Sequence, residues 1–279
     1  MIGLVLEGGA MRGMYTCGLL DLFLDENINF DGIMGVSAGA LFGVNFLSKQ
    51  RGRAIYYNKT YNSNKDYMGI GQFLKTGNIV NTEFAYERVP RELVPFDDDT
   101  YMNSGVPFYA VTTNLVTGKP EYMLIDSCFG KMDALRASGS MPFVSQPVLI
   151  NGERYLDGGV SDSIPFNKML EMGYDQLVVI LTRDITYVKK PMNKALINLF
   201  YHNNKAFAQA LVHRHEIYND SIKELIELEK QGKVYIIRPS SPLEIGRIES
   251  DPEILQSVYD LGMDDGKKIM SELKAFMFE

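Results

Sequence analysis

Phe30-Asp31-Gly32-Ile33-Met34-Gly35-Val36-Ser37-Ala38-Gly39 constrains this chain more than any other stretch. A short apolar run, the pattern of a buried strand, leads straight into Gly-x-Ser-x-Gly at the mouth of an apolar helix. A strand that turns sharply into a helix strains the turn residue's backbone and pushes its side chain out at the C-terminal edge of the sheet. Gly35 and Gly39 remove the side chains that would collide there. The Ser37 hydroxyl is thereby exposed, above a helix N-terminus that favours developing negative charge. The pentapeptide alone recurs by chance, and many such serines are turn residues or helix caps. Ser37 therefore reads as a nucleophile only with support from elsewhere in the chain.

The first support lies at the start of the chain. Ile2 to Leu6 is a continuous apolar run, the pattern of a central parallel strand buried on both faces. Glu7-Gly8-Gly9-Ala10-Met11-Arg12-Gly13 follows, and then a helical face of Leu19, Leu20, Leu22, Phe23 and Leu24 that ends near Glu26-Asn27. Such a turn offers several free backbone N–H groups at a helix start, an anion site for a phosphate or a transient oxyanion. A dinucleotide fingerprint is the rival reading. Against it, Ala10 replaces the middle glycine of G-x-G-x-x-G, and the second strand ends in Gly-x-Ser-x-Gly where an acidic ribose-binding residue would stand.

The chain has 279 residues, 46% apolar and 23% charged, which suits one α/β domain over residues 1–279 better than two small ones. Its net charge of -7 gives no general attraction to nucleic acid or anionic lipid, so none is expected as a partner from the whole-molecule field and the substrate must be drawn in locally. Cys17 and Cys128 are too few for a disulfide framework, and no His, Cys or carboxylate cluster has metal-ligand spacing; no cofactor or metal is expected. The N-terminus lacks a basic n-region before a long apolar stretch, and a cytoplasmic protein is expected. Gly32 to Ser48, with four glycines and Asn45, reads as core and not as a membrane span.

Further along, Lys49, Arg51, Arg53, Lys59 and Lys65 occur with no acidic residue among them and with Tyr56, Tyr57 and Tyr61 interleaved. This stretch could meet lipid headgroups in transient contact with a membrane surface, but a solvated face with tyrosines covering the core is the simpler reading. Residues 66 to 105 read as an irregular cap or insertion. Val106 to Thr113 and Glu121 to Ile125 form an antiparallel hairpin, and Phe129 to Ala137 a short helix. Arg136-Ala137-Ser138-Gly139-Ser140-Met141-Pro142 is a run of small residues suited to close backbone approach. Asn151-Gly152 is a hairpin turn, and the strand after it ends in Asp157-Gly158-Gly159, the second candidate for chemistry beside a plain turn aspartate. After residue 185 come a strand at Val234 to Ile237, a long helix, and closing helices interrupted at Gly262 and Gly266.

Glu7–Gly13, Gly35–Gly39, Arg136–Pro142 and Asp157–Gly159 stand in the order and approximate spacing of the patatin-like phospholipase family, which the first two thirds of the chain resembles. The resemblance implies a three-layer α/β/α fold with a mostly parallel central sheet and a Ser/Asp dyad. It makes Ser37 the nucleophile, Asp157 the base, and Gly8, Gly9 and Ala10 the oxyanion hole. Arg12, Gly35, Gly39, Gly158 and Gly159 then support the site. Two departures stand out: Glu7 replaces the usual Asp, and Ala10 occupies the third glycine position, which requires a conformation that a Cβ tolerates. His202, His213 and His215 all follow residue 200; a Ser, acid, His triad is nominally allowed by that order, but Gly-x-Ser-x-Gly lies too early for an α/β-hydrolase. The resemblance implies hydrolysis of a phospholipid or lysophospholipid acyl ester through an acyl-enzyme. A non-catalytic lipid- or nucleotide-binding module and an acyltransferase using the same dyad are the alternatives.

Overall fold

In the computed structural model, which describes residues 1–278, the apolar runs assemble into one eight-stranded sheet. The strands are β1 (Ile2–Leu6), β2 (Gly32–Val36), β3 (Phe108–Asn114), β4 (Pro120–Leu124), β5 (Val148–Ile150), β6 (Glu153–Asp157), β7 (Gln176–Ile180) and β8 (Val234–Ile237). They lie in the order β5-β6-β3-β2-β1-β7-β8, with β4 on the other edge of β3. Each neighbouring pair from β3 through β2, β1 and β7 to β8 is parallel, whereas β4 and β6 run against β3. The hairpin between β5 and β6 turns on Asn151 and Gly152, both in the left-handed region at φ 50° and 87°, as a two-residue turn requires.

The helices are α1 (Gly13–Asp25), α2 (Ala38–Leu47), α3 (Arg53–Tyr61), α4 (Ile70–Thr76), α5 (Asp98–Met102), α6 (Met132–Ser138), α7 (Phe166–Glu171), α8 (Lys194–Tyr201), α9 (Lys205–Lys230) and α10 (Pro252–Phe278). Alternate residues of the central strands face opposite layers, as the period of two demands. Leu4, Leu6 and Ile33 join the core of α1, α2 and α10, while Val5, Met34 and Val36 join that of α7 and α9. The result is three layers, α/β/α, around a mostly parallel sheet. No helix among the described residues is long and apolar enough to cross a membrane.

Two expectations are corrected. Residues 66 to 105 are not irregular: they hold α4, a π-helical segment at Phe84–Leu93 and α5, and the second of these packs with Tyr67 and Met68 into a small core of its own through Phe84 and Val89. These pieces are short, and Pro90 inside the second reads in sequence as a helix breaker. The closing helices are not interrupted at Gly262 and Gly266; α10 runs unbroken through both. Its glycines serve packing. A Cβ on Gly262 would overlap the carbonyl oxygen of Tyr15 in α1, and one on Gly18 in α1 would overlap that of Tyr259 in α10, so the two helices touch backbone to backbone.

A stability prediction follows from this contact. Gly262→Ala gains helix propensity of roughly 1 kcal/mol, yet forces two backbones apart, and overpacking of this kind costs about 1–3 kcal/mol. The net outcome expected is a lower urea midpoint. Gly266→Ala meets only the ends of Leu19 and Leu22, which can move, and should cost less. A stabilised Gly262→Ala protein would show that the helices are not in backbone contact.

The basic stretch of residues 49 to 65 is engaged in structure. Arg51 pairs with Asp25 at 2.7 Å, Lys59 donates to Gln256, and the Arg53 guanidinium donates to the Val94 carbonyl while lying over Tyr57 and Phe96.

Candidate active site

β2 delivers Ser37 into a left-handed backbone at φ 54°, ψ -120°, uncommon for a residue with a Cβ. The turn closes because Gly35 leaves room for Ala40, whose N and Cα would lie 2.7 Å from an added Cβ, and because Gly39 lies against the Leu6 carbonyl. The Ser37 carbonyl accepts from the N–H groups of Ala40 and Leu41, both at 3.0 Å, and so begins α2. The Ser37 N–H donates to Ser138 Oγ at 2.9 Å, so the run of small residues supplies a hydroxyl that fixes the turn.

The sheet register explains how a residue 120 positions later reaches Ser37. β2 occupies one edge of β3 up to the pair Val36 and Val111, and β6, running the other way, takes over the same edge at Asp157 and Thr112. Two strands thus end head to head on consecutive residues of β3. Ser37 Oγ donates to Asp157 Oδ2 at 2.6 Å, and the Gly159 N–H donates to Oδ1 at 2.8 Å. The Asp157 N–H donates to the Ser140 carbonyl, and the Thr113 hydroxyl lies 2.9 Å from the Asp157 carbonyl. Gly158 has no space for a side chain because Val111 O fills it. Burial raises the Asp157 carboxyl above its ordinary range, while the Ser37 hydrogen bond, the Arg214 guanidinium and the Gly159 N–H oppose that rise.

The glycine turn lies beside the dyad. Gly8 packs on Ser37, where a Cβ would stand 2.8 Å from the Ser37 Cβ. Gly9 lies against Thr182, whose Oγ1 would be 2.6 Å from an added Cβ. Ala10 takes φ 50°, a left-handed conformation that a Cβ tolerates at a cost. Among the described residues, the N–H groups of Gly9 and Ala10 meet no backbone acceptor outside the short helical turn they open. Glu7 is buried and accepts the Thr182 N–H at 2.6 Å, tying the turn to the end of β7. Arg12 is largely buried nearby; burial first, and then Arg183, lower its pKa to about 10.

Two cavities meet at Ser37. One, of about 150 Å³, is apolar, running between α2 and the cap past Leu41, Phe42, Tyr67, Met68 and Val89. The other, of about 90 Å³, holds Asp157, Glu7 and the glycine turn. The three histidines are engaged elsewhere: His213 Nδ1 is 2.7 Å from Glu216, His215 meets the Val212 carbonyl, and His202 is exposed at the end of α8. Sequence reading missed Ser138, Thr182 and Arg214 as parts of the site. Arg214 Nε donates to the Gly159 carbonyl, and the run His213-Arg214-His215 offered only its imidazoles as a signal.

A family model described as Patatin-like phospholipase matches residues 4–170, and this chain belongs to the patatin-like phospholipase family; fold and family together define a carboxylic-ester hydrolase acting on lipids. A second, described as a domain of unknown function (DUF6363), matches residues 204–278. The uncharacterized protein YjjU of Escherichia coli K12 is 30% identical over all of this chain and 79% of its own length. Lysophospholipase nte1 of Aspergillus fumigatus is 26% identical over 64% of this chain, and neuropathy target esterase sws of Drosophila melanogaster 25% over 64%. The alignments cover only 12% and 13% of those two proteins respectively.

Proposed function

We propose that this chain hydrolyses the acyl ester of a phospholipid or lysophospholipid through a covalent Ser37 acyl-enzyme, with Asp157 as the base. The observation that carries this reading is the 2.6 Å hydrogen bond from Ser37 Oγ to Asp157 Oδ2 at the mouth of an apolar cavity. Ser37 Oγ attacks the ester carbonyl and its proton passes to Asp157. The oxyanion forms against the N–H groups of Gly9 and Ala10. The carbon–oxygen bond to the alcohol breaks, and the alcohol leaves with the proton from Asp157. Water then attacks the acyl-serine, giving its proton to Asp157; Ser37 recovers a proton from Asp157 and the carboxylic acid departs. The lysophospholipase name of nte1 supports the substrate class.

A fluorophosphonate ester probe tests the nucleophile directly. Mass spectrometry of the labelled, digested protein should find the adduct on Ser37 alone. A folded protein that takes up no probe, or takes it elsewhere, would overturn the assignment.

A further inference from the structure

The second cavity at Ser37 carries more positive charge than the dyad chemistry uses. Arg12, Arg183, Lys189, Arg214 and Arg247 all line it, and its only acidic lining residues are Glu7 and Asp157. Both acids have partners already: Glu7 holds the Thr182 N–H, and Asp157 holds Ser37 and Gly159. Among the described residues, none of the five cations is in an ion pair within 4 Å. Aromatic rings and carbonyls take the place of counter-ions. The Lys189 ammonium is 3.9 Å from the Tyr218 ring centre and Arg183 lies over Tyr187, while Arg214 bonds the Gly159 carbonyl. The buried Nε of Arg12 has no acceptor at all.

Such an arrangement is costly by itself, since like charges drawn out of water repel one another. Lys189 records the strain: burial and the neighbouring Arg214 lower its pKa to about 7 although Glu7 opposes the shift. In a chain of net charge -7 this cluster is a local reversal of sign, and an anion in the cavity would relieve it.

The position of the cluster says which part of a substrate it meets. An ester carbonyl at Ser37 has an acyl half and an alcohol half. The acyl chain belongs in the apolar cavity, which leaves the alcohol half on the cationic side. We propose that this cationic cavity is a phosphate site which selects lysophospholipids whose head group is anionic and carries no ammonium. A phosphomonoester presents oxygens to several guanidinium forks at once. A choline or ethanolamine group would bring another cation among five, with no free carboxylate to receive it. The inference rests on the reading of Ser37 as nucleophile and of the alcohol as the leaving group.

The test compares kcat/KM on three monomeric substrates of one chain length: 1-acyl lysophosphatidate, 1-acyl lysophosphatidylcholine and monoacylglycerol. Lysophosphatidate should exceed lysophosphatidylcholine by tenfold or more, and inorganic phosphate should compete with it. In Arg183→Gln/Arg247→Gln and, separately, in Lys189→Gln, the ratio of lysophosphatidate to monoacylglycerol turnover should fall tenfold or more. A ratio within each variant cancels any loss of folded protein. Equal turnover of the two lysophospholipids overturns the proposal, as does a preference that survives both sets of substitutions. Inhibition by phosphate without head-group preference also overturns it, because the cavity would then be a site for the free anion. Failure to hydrolyse any of the three, monoacylglycerol included, would count against the underlying acyl-hydrolase reading instead.

Discussion

Ser37→Ala should abolish acyl-enzyme formation, and Asp157→Asn should lower kcat by several orders of magnitude with the fold intact, because the amide keeps the shape of the carboxylate but cannot take the proton. Lipid binding should persist in both, measured by co-sedimentation with substrate vesicles. The triple substitution His202→Gln/His213→Gln/His215→Gln should stay within about tenfold of wild type, since the members of a catalytic unit cost far more when removed. Collapse of the folded triple variant, with Asp157→Asn still active, would replace the dyad by a histidine triad. The pH profile adds a sign. Protonated Asp157 cannot act as a base, so kcat/KM falls as pH drops through its pKa, and burial places that midpoint above the ordinary aspartate value of 3.8. Arg214→Gln removes a charge that favours the carboxylate and should move the midpoint higher still.

Gly9→Ala should lower kcat on the order of 10² to 10³, the loss typical of an oxyanion-hole donor. The added Cβ keeps the N–H but would stand 2.6 Å from Thr182 Oγ1 and 3.1 Å from its Cβ, so the turn or Thr182, which is hydrogen-bonded to Glu7 and Gly8, must shift. Thr182→Ala in that background removes the nearer atom and should recover part of the loss, which a defect unrelated to position would not. Ala10→Gly keeps the N–H, relieves the cost of φ 50° and should leave turnover near wild type. Near-normal turnover by a folded Gly9→Pro protein, which lacks the N–H donor, would move the hole elsewhere.

What the sequence made legible is what glycine makes local. Gly35, Gly39, Gly8 and Gly158 each mark a place where backbone meets backbone, and together they locate both ends of the dyad before any tertiary contact is known. The parallel strands were equally legible because burial on both faces leaves an unbroken apolar run. Arg214 was not, since a lone cation in a helix of mixed charge looks like surface, and only packing turns it inward between two histidines that face other partners. Ser138 reaches the site across a sequence separation of 101 residues through an Oγ that accepts the Ser37 N–H, and Thr182 across 175 through its N–H and hydroxyl, which donate to Glu7, the hydroxyl also to the Gly8 carbonyl. No periodicity carries such information. At Gly262 and Gly266 the sequence signal was real but its meaning inverted: glycine in a helix breaks it or lets another helix come close, and only the partner decides which.

The head-to-head meeting of β2 and β6 on β3 makes that single strand a ruler for the reaction. The separation of Ser37 from Asp157 is set by the step from Val111 to Thr112 and by the turn into α2, and none of the chain between residues 48 and 107 enters that measurement. The cap that walls the apolar cavity lies wholly inside this span. It can therefore lengthen, shrink or be exchanged for a foreign segment, changing which chains are admitted, while the chemistry stays in register. A one-residue deletion within β3 would do the reverse, leaving the cavity walls in place and parting the two reacting groups.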